Sequence, residues 1–212
     1  MDTAKVWAHI HAERASLMGT LAALPEAAWS RESVCPGWTV KDVAAHVIAH
    51  PQLGWRQLAG MTARNVGHGY NSMIFREVRR LGRSQTREQI LDDFHKYDGS
   101  TRRVPTTTPV EPLVDALVHH QDILRALGLS HEMAPAAAAV AADRCLLLSF
   151  LMGSTQVKRS VRLVADDHEW SHGSGPEVRG PMQELLLVCA GRARVATDLT
   201  GDGLELLGDR SA

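Results

Sequence analysis

The chain has 212 residues, 44% of them apolar, and its 23 basic and 24 acidic side chains leave a formal net charge of −1. That composition supports a sizeable core, and the near-neutral balance excludes the basic surface that draws a protein to nucleic acid or to an acidic membrane. Three widely spaced cysteines, Cys35, Cys145 and Cys189, form no CxxC pair, which argues against a disulfide framework and for a reducing cytoplasm.

From the start of the chain, "MDTAKVWAHIHAERASLMG" lacks a basic segment ahead of an apolar core, so no secretory signal is expected. Val6, Ile10, Leu17 and Leu21 instead recur at helical spacing over residues 3 to 23. "LPEAAWSRESVCPGW" breaks that pattern with two prolines and ends in a Pro-Gly turn. Thr39 is then a suitable N-cap, and Asp42 sets a carboxylate at the third position of the first turn. The helix it opens is expected to run on through "VKDVAAHVIAHPQLGWRQLAGM", with Pro51 as a kink or break. Further helices are predicted over about 71 to 82 and, from a capping box at Thr86, to about 98. A long helix follows from about Val110 to Leu127, stopped by Gly128, and another from about Pro135 to Met152.

Such a succession of helices without a convincing strand predicts a mainly α protein built on an antiparallel four-helix bundle. The texture changes near residue 158. "KRSVRLVADD" alternates like a half-buried strand, "HEWSHGSGPEVRG" reads as a glycine-rich turn and a short strand, and "PMQELLLVCAGRA" is an amphipathic helix. "LTGDGLELLGDR" is expected to close with a last strand. These features set a boundary near 155, with the bundle over 1–155 and a small C-terminal α+β region over 156–212 packed on it. No stretch approaches the roughly 18 to 20 uncharged apolar residues that span a bilayer.

Two segments carry chemistry. In "VCPGWTVKDVAAHVIAH" His46 and His50 lie four apart on a helix that otherwise reads as buried. In "EPLVDALVHHQDILRALG" Asp115 and His119 share the same spacing, which puts a carboxylate and an imidazole on one helix face. Metals that favour nitrogen and oxygen ligands, zinc above all, need three or four such groups, and bundles assemble them from facing helices. Taken alone, these histidines can equally be core residues satisfied by backbone partners. His50 and His120 read as outer-sphere or solvent-facing groups, and Asp122 as a residue that orients a histidine or stabilises its own helix. His9, His11, His68, His95 and His131 have no evident partner at ligand spacing. His168 and His172 lie four apart, but in a turn.

"CPGWTVKDVAAHVIAH" resembles the PGW-T-x-x-D-x-x-x-H signature of the mycothiol-dependent maleylpyruvate isomerase family, a branch of the DinB-like four-helix metalloproteins. "DALVHHQDILRALG" is similar to that family's second motif, an acidic residue four positions ahead of His, then x-x-Asp and a closing Leu-Gly. "ADDHEWSHGSGPEVRGPMQELLLVCAGR" and "LTGDG" resemble its C-terminal region. The resemblance implies a DinB-like bundle holding a divalent metal through His46, Asp115 and His119. Zinc is expected there, with nickel or iron(II) as alternatives, and mycothiol is the thiol cosubstrate. The characterised isomerases have Glu where this chain has Asp115, and Asp is shorter by one methylene.

The leading expectation is thus a cytoplasmic isomerase or S-transferase in which a metal-held thiolate, the nucleophilic form, adds to a small electrophilic substrate. A non-catalytic metal-binding protein and a hydrolase using metal-bound water are the rivals. Partners are then a small thiol and a small electrophile, with no nucleic acid or membrane, in a monomer or homodimer. Arg179 and Arg192 are possible holders of substrate carboxylates. The three cysteines read as packing residues.

Overall fold

The computed structural model describes residues 1–208. The chain forms α1 (Thr3–Ala23), α2 (Glu26–Trp29), α3 (Val40–Ala49), α4 (Trp55–Arg64), α5 (Tyr70–Ser84), α6 (Arg87–Lys96) and α7 (Val110–Leu127). These are followed by α8 (Pro135–Leu147), α9 (Ser149–Met152), α10 (Thr155–Ser160), β1 (Arg162–Ala165), β2 (Ser171–Gly173), β3 (Glu177–Gly180) and α11 (Met182–Cys189). Two compact units result, one spanning Asp2–His131 and the other beginning at Glu132.

In the first unit α1 packs on α7 and α6, and α3 packs on the same two helices from the other side, closing a ring of four. The C-terminal ends of α1 and α7 line one groove with Thr20, Leu24, Leu124 and Gly128, so these two neighbours run in the same direction. Leu17, Leu21, Val40, Val43, Ile48, Ile90 and Ile123 are buried together inside. Several helices of this unit begin at a side chain that caps their free amides. Asp2 caps α1 through the Lys5 amide at 2.8 Å. Thr39 and Asp42 form a reciprocal capping box on α3, and Thr86 and Gln89 do so on α6. Gly128 closes α7 in the left-handed region at φ 70°.

Pro51 breaks the helix begun at Thr39. The chain passes through a 3₁₀ turn, His50–Gln52, before α4 starts at Trp55. α5 then lies on α3, with Gly82 against Asp42.

The second unit starts ahead of the texture change near residue 155. α8 carries a face of small residues, Ala137, Ala138, Ala141, Ala142 and Cys145, all buried, and this lets it lie close against α11. A three-stranded sheet of order β2-β1-β3 completes the unit, antiparallel between β1 and β2 and parallel between β1 and β3. The last strand expected within "LTGDGLELLGDR" is not formed among the described residues. Thr200 makes an isolated bridge with Arg179, and Leu204–Leu207 turns into a 3₁₀ helix; Asp209 and Arg210 lie outside the described residues. Burial pushes the Cys189 thiol well above its ordinary range, consistent with packing. No helix among the described residues is long and apolar enough to cross a membrane.

Candidate metal centre

α3 and α7 face each other in the first unit, and their inward positions bring His46, Asp115 and His119 together. One ligand atom of each lies within 4.8 Å of the others. His46 Nε2 is 3.4 Å from Asp115 Oδ2, and His119 Nε2 is 3.9 Å from Asp115 Oδ1. The rings of His46 and His119 meet edge to face, with centroids 5.0 Å apart. Trp38, buried at the turn before α3, sits 5.6 Å from the His46 ring and 5.9 Å from the His119 ring. It forms a wall of the site as well as packing the turn.

The surrounding groups set the protonation states. His119 Nδ1 lies 2.8 Å from Asp122 Oδ2, and Asp122 is 1% exposed. That contact makes Nδ1 the protonated nitrogen and leaves the Nε2 lone pair turned toward Asp115. Burial lowers the pKa of His119, outweighing the opposing hydrogen bond that its ring donates to Asp122, so the neutral, ligand-competent form is favoured. At Asp115 burial acts upward, but hydrogen bonds and charge interactions with His46 and His50 hold the carboxyl well below the usual range. His50 Nε2 also bonds Asp115 Oδ2, which places it outside the trio as a partner of the carboxylate; its buried Nδ1 has no partner among the described residues.

These residues fit a divalent ion. Two imidazole nitrogens and one carboxylate are the donor set of open zinc sites, and ligand atoms about 2.0–2.2 Å from a tetrahedral centre stand roughly 3.4 Å apart. His46 and His119 approach different oxygens of Asp115, at 3.4 and 3.9 Å, and with one ligand atom from each residue the three lie within 4.8 Å of one another, so the side chains must draw together to reach that spacing.

Several neighbours escaped the sequence reading. Cys35 is more than a turn residue: its thiol donates to Asp122 Oδ2 at 3.1 Å, beside His119 Nδ1 at 3.9 Å. His120 does not face solvent. It is fully buried on another side of α7, with Nδ1 2.7 Å from Glu13 Oε1 and Nε2 3.2 Å from Thr20 Oγ1. His131, which has no partner at ligand spacing in the sequence, reaches the other Glu13 oxygen at 3.2 Å. Adjacent histidines on a helix point about 100° apart, so His119 and His120 belong to separate clusters. Arg14 and Tyr70 also feel the Asp115 charge. Burial raises the Tyr70 phenol, and the negative charges of Asp115 and Glu111 raise it further. Arg179, a suggested carboxylate holder, is engaged by Glu177 and Asp166 within its own unit.

The family model of the mycothiol maleylpyruvate isomerase N-terminal domain matches residues 10–115, half of the chain. The chain belongs to this family. The match includes His46 and Asp115 and stops short of His119. Among solved structures, a mycothiol-dependent maleylpyruvate isomerase aligns with a TM-score of 0.61 at 13% identity, covering 97% of this chain and 95% of that one. A mutant form of such an enzyme aligns with a TM-score of 0.50 at 14% identity and the same coverage. These likenesses establish that the maleylpyruvate isomerase fold extends over nearly the whole chain. No curated protein sequence matches it significantly.

Proposed function

We propose that this member of the maleylpyruvate isomerase family is a metal-dependent, mycothiol-using isomerase or S-transferase acting on a small electrophile, with His46, Asp115 and His119 as the metal ligands. The observation that carries the reading is the convergence of these three side chains from two facing helices, with His119 Nδ1 engaged by Asp122. A divalent ion held there would keep a bound thiol as its thiolate, the nucleophilic form.

The protein's own groups do the rest. Asp122 fixes the ring of His119 and its tautomer. His50 holds Asp115 from behind and keeps it ionised. Trp38 screens the two imidazoles from water. Three protein ligands leave coordination positions open, as catalysis requires and a purely structural ion does not. Thiolate addition to a conjugated carbon permits rotation about the former double bond, and elimination then returns the thiolate; where the adduct is kept, the same site is a transferase.

The test is elemental analysis of the purified protein, followed by titration with mycothiol. One equivalent of metal in the parent, lost in folded His46→Ala, Asp115→Ala and His119→Ala, together with mycothiol binding that requires the metal, supports the reading. Metal without mycothiol affinity would leave a metal-binding protein of another kind. A parent that takes up no zinc, nickel or iron(II) would end the proposal.

A further inference from the structure

In the second unit α8 has two unlike faces. The small residues of one lie buried against α11. The other ends in large apolar side chains that no described residue covers. Leu147, the last residue of α8, is 66% exposed, and Phe150 on α9 is 87% exposed, the highest value among the large apolar residues described. Only Leu148 and Ser149 separate them, so the spacing puts both on one side of the turn. Leu148, Leu151 and Met152 beside them are half-buried. An exposed apolar side chain standing alone is ordinary, but a contiguous run of this kind marks a contact surface.

Charges of opposite sign flank the patch. Asp143 lies one turn ahead of Leu147 on the exposed side of α8, and its Oδ1 accepts from the neutral indole Nε1 of Trp170 at 3.0 Å. Lys158, on α10, stands at the other end. Its Nζ donates to the Leu146 carbonyl at 3.0 Å, which places the ammonium at the C-terminal end of α8. Arg159, next in the chain, is also exposed. None of these three charges forms an ion pair among the described residues. The surface thus runs from a negative edge at Asp143, across Leu147, to a positive edge at Lys158, and all of it belongs to the second unit.

We propose that this face is the interface of a homodimer, covered by the same face of a second copy of the chain. A surface with an apolar centre and edges of opposite charge is complementary to itself. A two-fold axis through the centre sets Asp143 of one copy against Lys158 of the other, and it does so twice, because in an isologous interface every contact recurs with the roles exchanged. Leu147 and Phe150 then pack against their counterparts at the centre, where an aromatic anchor contributes most to affinity. The two charge pairs lie at the rim, where they fix register more than they add strength. One second copy satisfies the apolar centre and both charged edges with no further component. The inference does not depend on the chemistry of the metal centre, whose residues are all in the first unit.

Sedimentation equilibrium of the full chain across the micromolar range tests it. The parent is expected to pass reversibly from one chain's mass to twice that mass. Phe150→Glu should weaken the dimer at least about tenfold, as loss of a central anchor does. Its thermal unfolding should match that of the parent at concentrations where both are monomers, because the side chain is already exposed. Asp143→Lys and Lys158→Glu should each weaken self-association, since each sets like charges against one another at both rims. Mixed in equal amounts, these two variants should regain the parent's affinity as a heterodimer, because both opposed pairs are then restored. A parent that remains one chain at every concentration overturns the inference, and so does a dimer indifferent to Phe150→Glu. A mixture that associates no better than its components overturns the two-fold pairing. Should Phe150→Glu not fold, the mixing experiment decides alone, with recovery supporting the interface and no recovery removing it.

Discussion

Asp122 Oδ2 lies 2.8 Å from His119 Nδ1, and both side chains project from α7 three positions apart. The same oxygen accepts the Cys35 thiol at 3.1 Å, so a single carboxylate ties the turn before α3 to the imidazole on α7. Outer partners of this kind typically set metal affinity by about 10- to 100-fold. Asp122→Asn, which keeps the volume and loses the charge, is expected to weaken zinc binding by a factor in that range while His119 remains. Competition with a chromogenic chelator reads it directly. Cys35→Ser, which leaves the Asp122–His119 contact in place, should change zinc affinity by less than about threefold; a loss equal to that of Asp122→Asn would make the thiol the more important partner.

Acid stability should depend on Glu77. This carboxylate, 8% exposed on α5, accepts from Arg64 at 2.7 Å, Asn65 at 2.8 Å and Arg80 at 3.1 Å. The Arg64 hydrogen bond is the largest influence, and with the other partners it outweighs burial and brings the group down to about 2 from an ordinary 4.5. A carboxylate with a lowered folded pKa contributes stability that is complete above the unfolded value and lost as the pH falls through the folded one. Both arginines are largely exposed, so the contribution is discounted to about 1–2 kcal/mol. Urea unfolding at intervals from pH 5.5 to 2.5 should therefore show a steeper decline in stability for the parent than for Glu77→Gln, with the difference accumulating below pH 4.5.

The Glu13 cluster should serve the fold more than the metal. Its two oxygens hold His120, which has no exposed surface, and His131, whose rings lie 4.5 Å apart. Glu13→Ala removes the acceptor from both and leaves His120 Nδ1 buried without a partner, at a cost of about 2–4 kcal/mol. Denaturant titration measures that loss. Zinc content should stay at the parent's level, because the three proposed ligands are on α3 and α7. The three Glu13-cluster donor atoms also lie within 4.8 Å of one another. One equivalent fewer in Glu13→Ala than in a parent holding two would therefore show that this cluster takes an ion as well.

Much of the helical framework was legible in the chain because local chemistry specified it. The Thr39–Asp42 and Thr86–Gln89 boxes and Gly128 each declare a helix end through groups only three residues apart or through one backbone conformation. The Asp115 to His119 spacing was legible for the same reason. The partners of Glu13 were not, since His120 and His131 are 107 and 118 residues away, and nothing local distinguishes a glutamate that turns inward. Arg14 gave the opposite signal, because a charged residue in a helical pattern reads as solvent-facing unless its place on the apolar stripe is weighed. The strand expected near the C-terminus failed on a matter of partners: Arg179 offers Thr200 a bridge, but the chain turns away before a ladder forms.

Gly82 provides the last prediction, one in which propensity and packing oppose each other. In a helix interior alanine is favoured over glycine by about 1 kcal/mol, so Gly82→Ala within α5 should stabilise if the helix stood alone. A Cβ at this position would instead lie 2.0 Å from Asp42 Oδ1 and 2.9 Å from Asp42 Cα. The side chain of Asp42 cannot simply rotate away, because it closes the capping box by accepting the Thr39 amide at 2.9 Å. Its Cα belongs to the first turn of α3 and moves only with that helix. Overpacking of this kind costs about 1–3 kcal/mol, and disruption of the cap adds about 1. The net expectation is a destabilisation of about 1–3 kcal/mol, read from chemical denaturation. A stabilised Gly82→Ala variant would mean that α5 can slide on α3, and that the N-terminal turn leading to His46 is less firmly held than this contact implies.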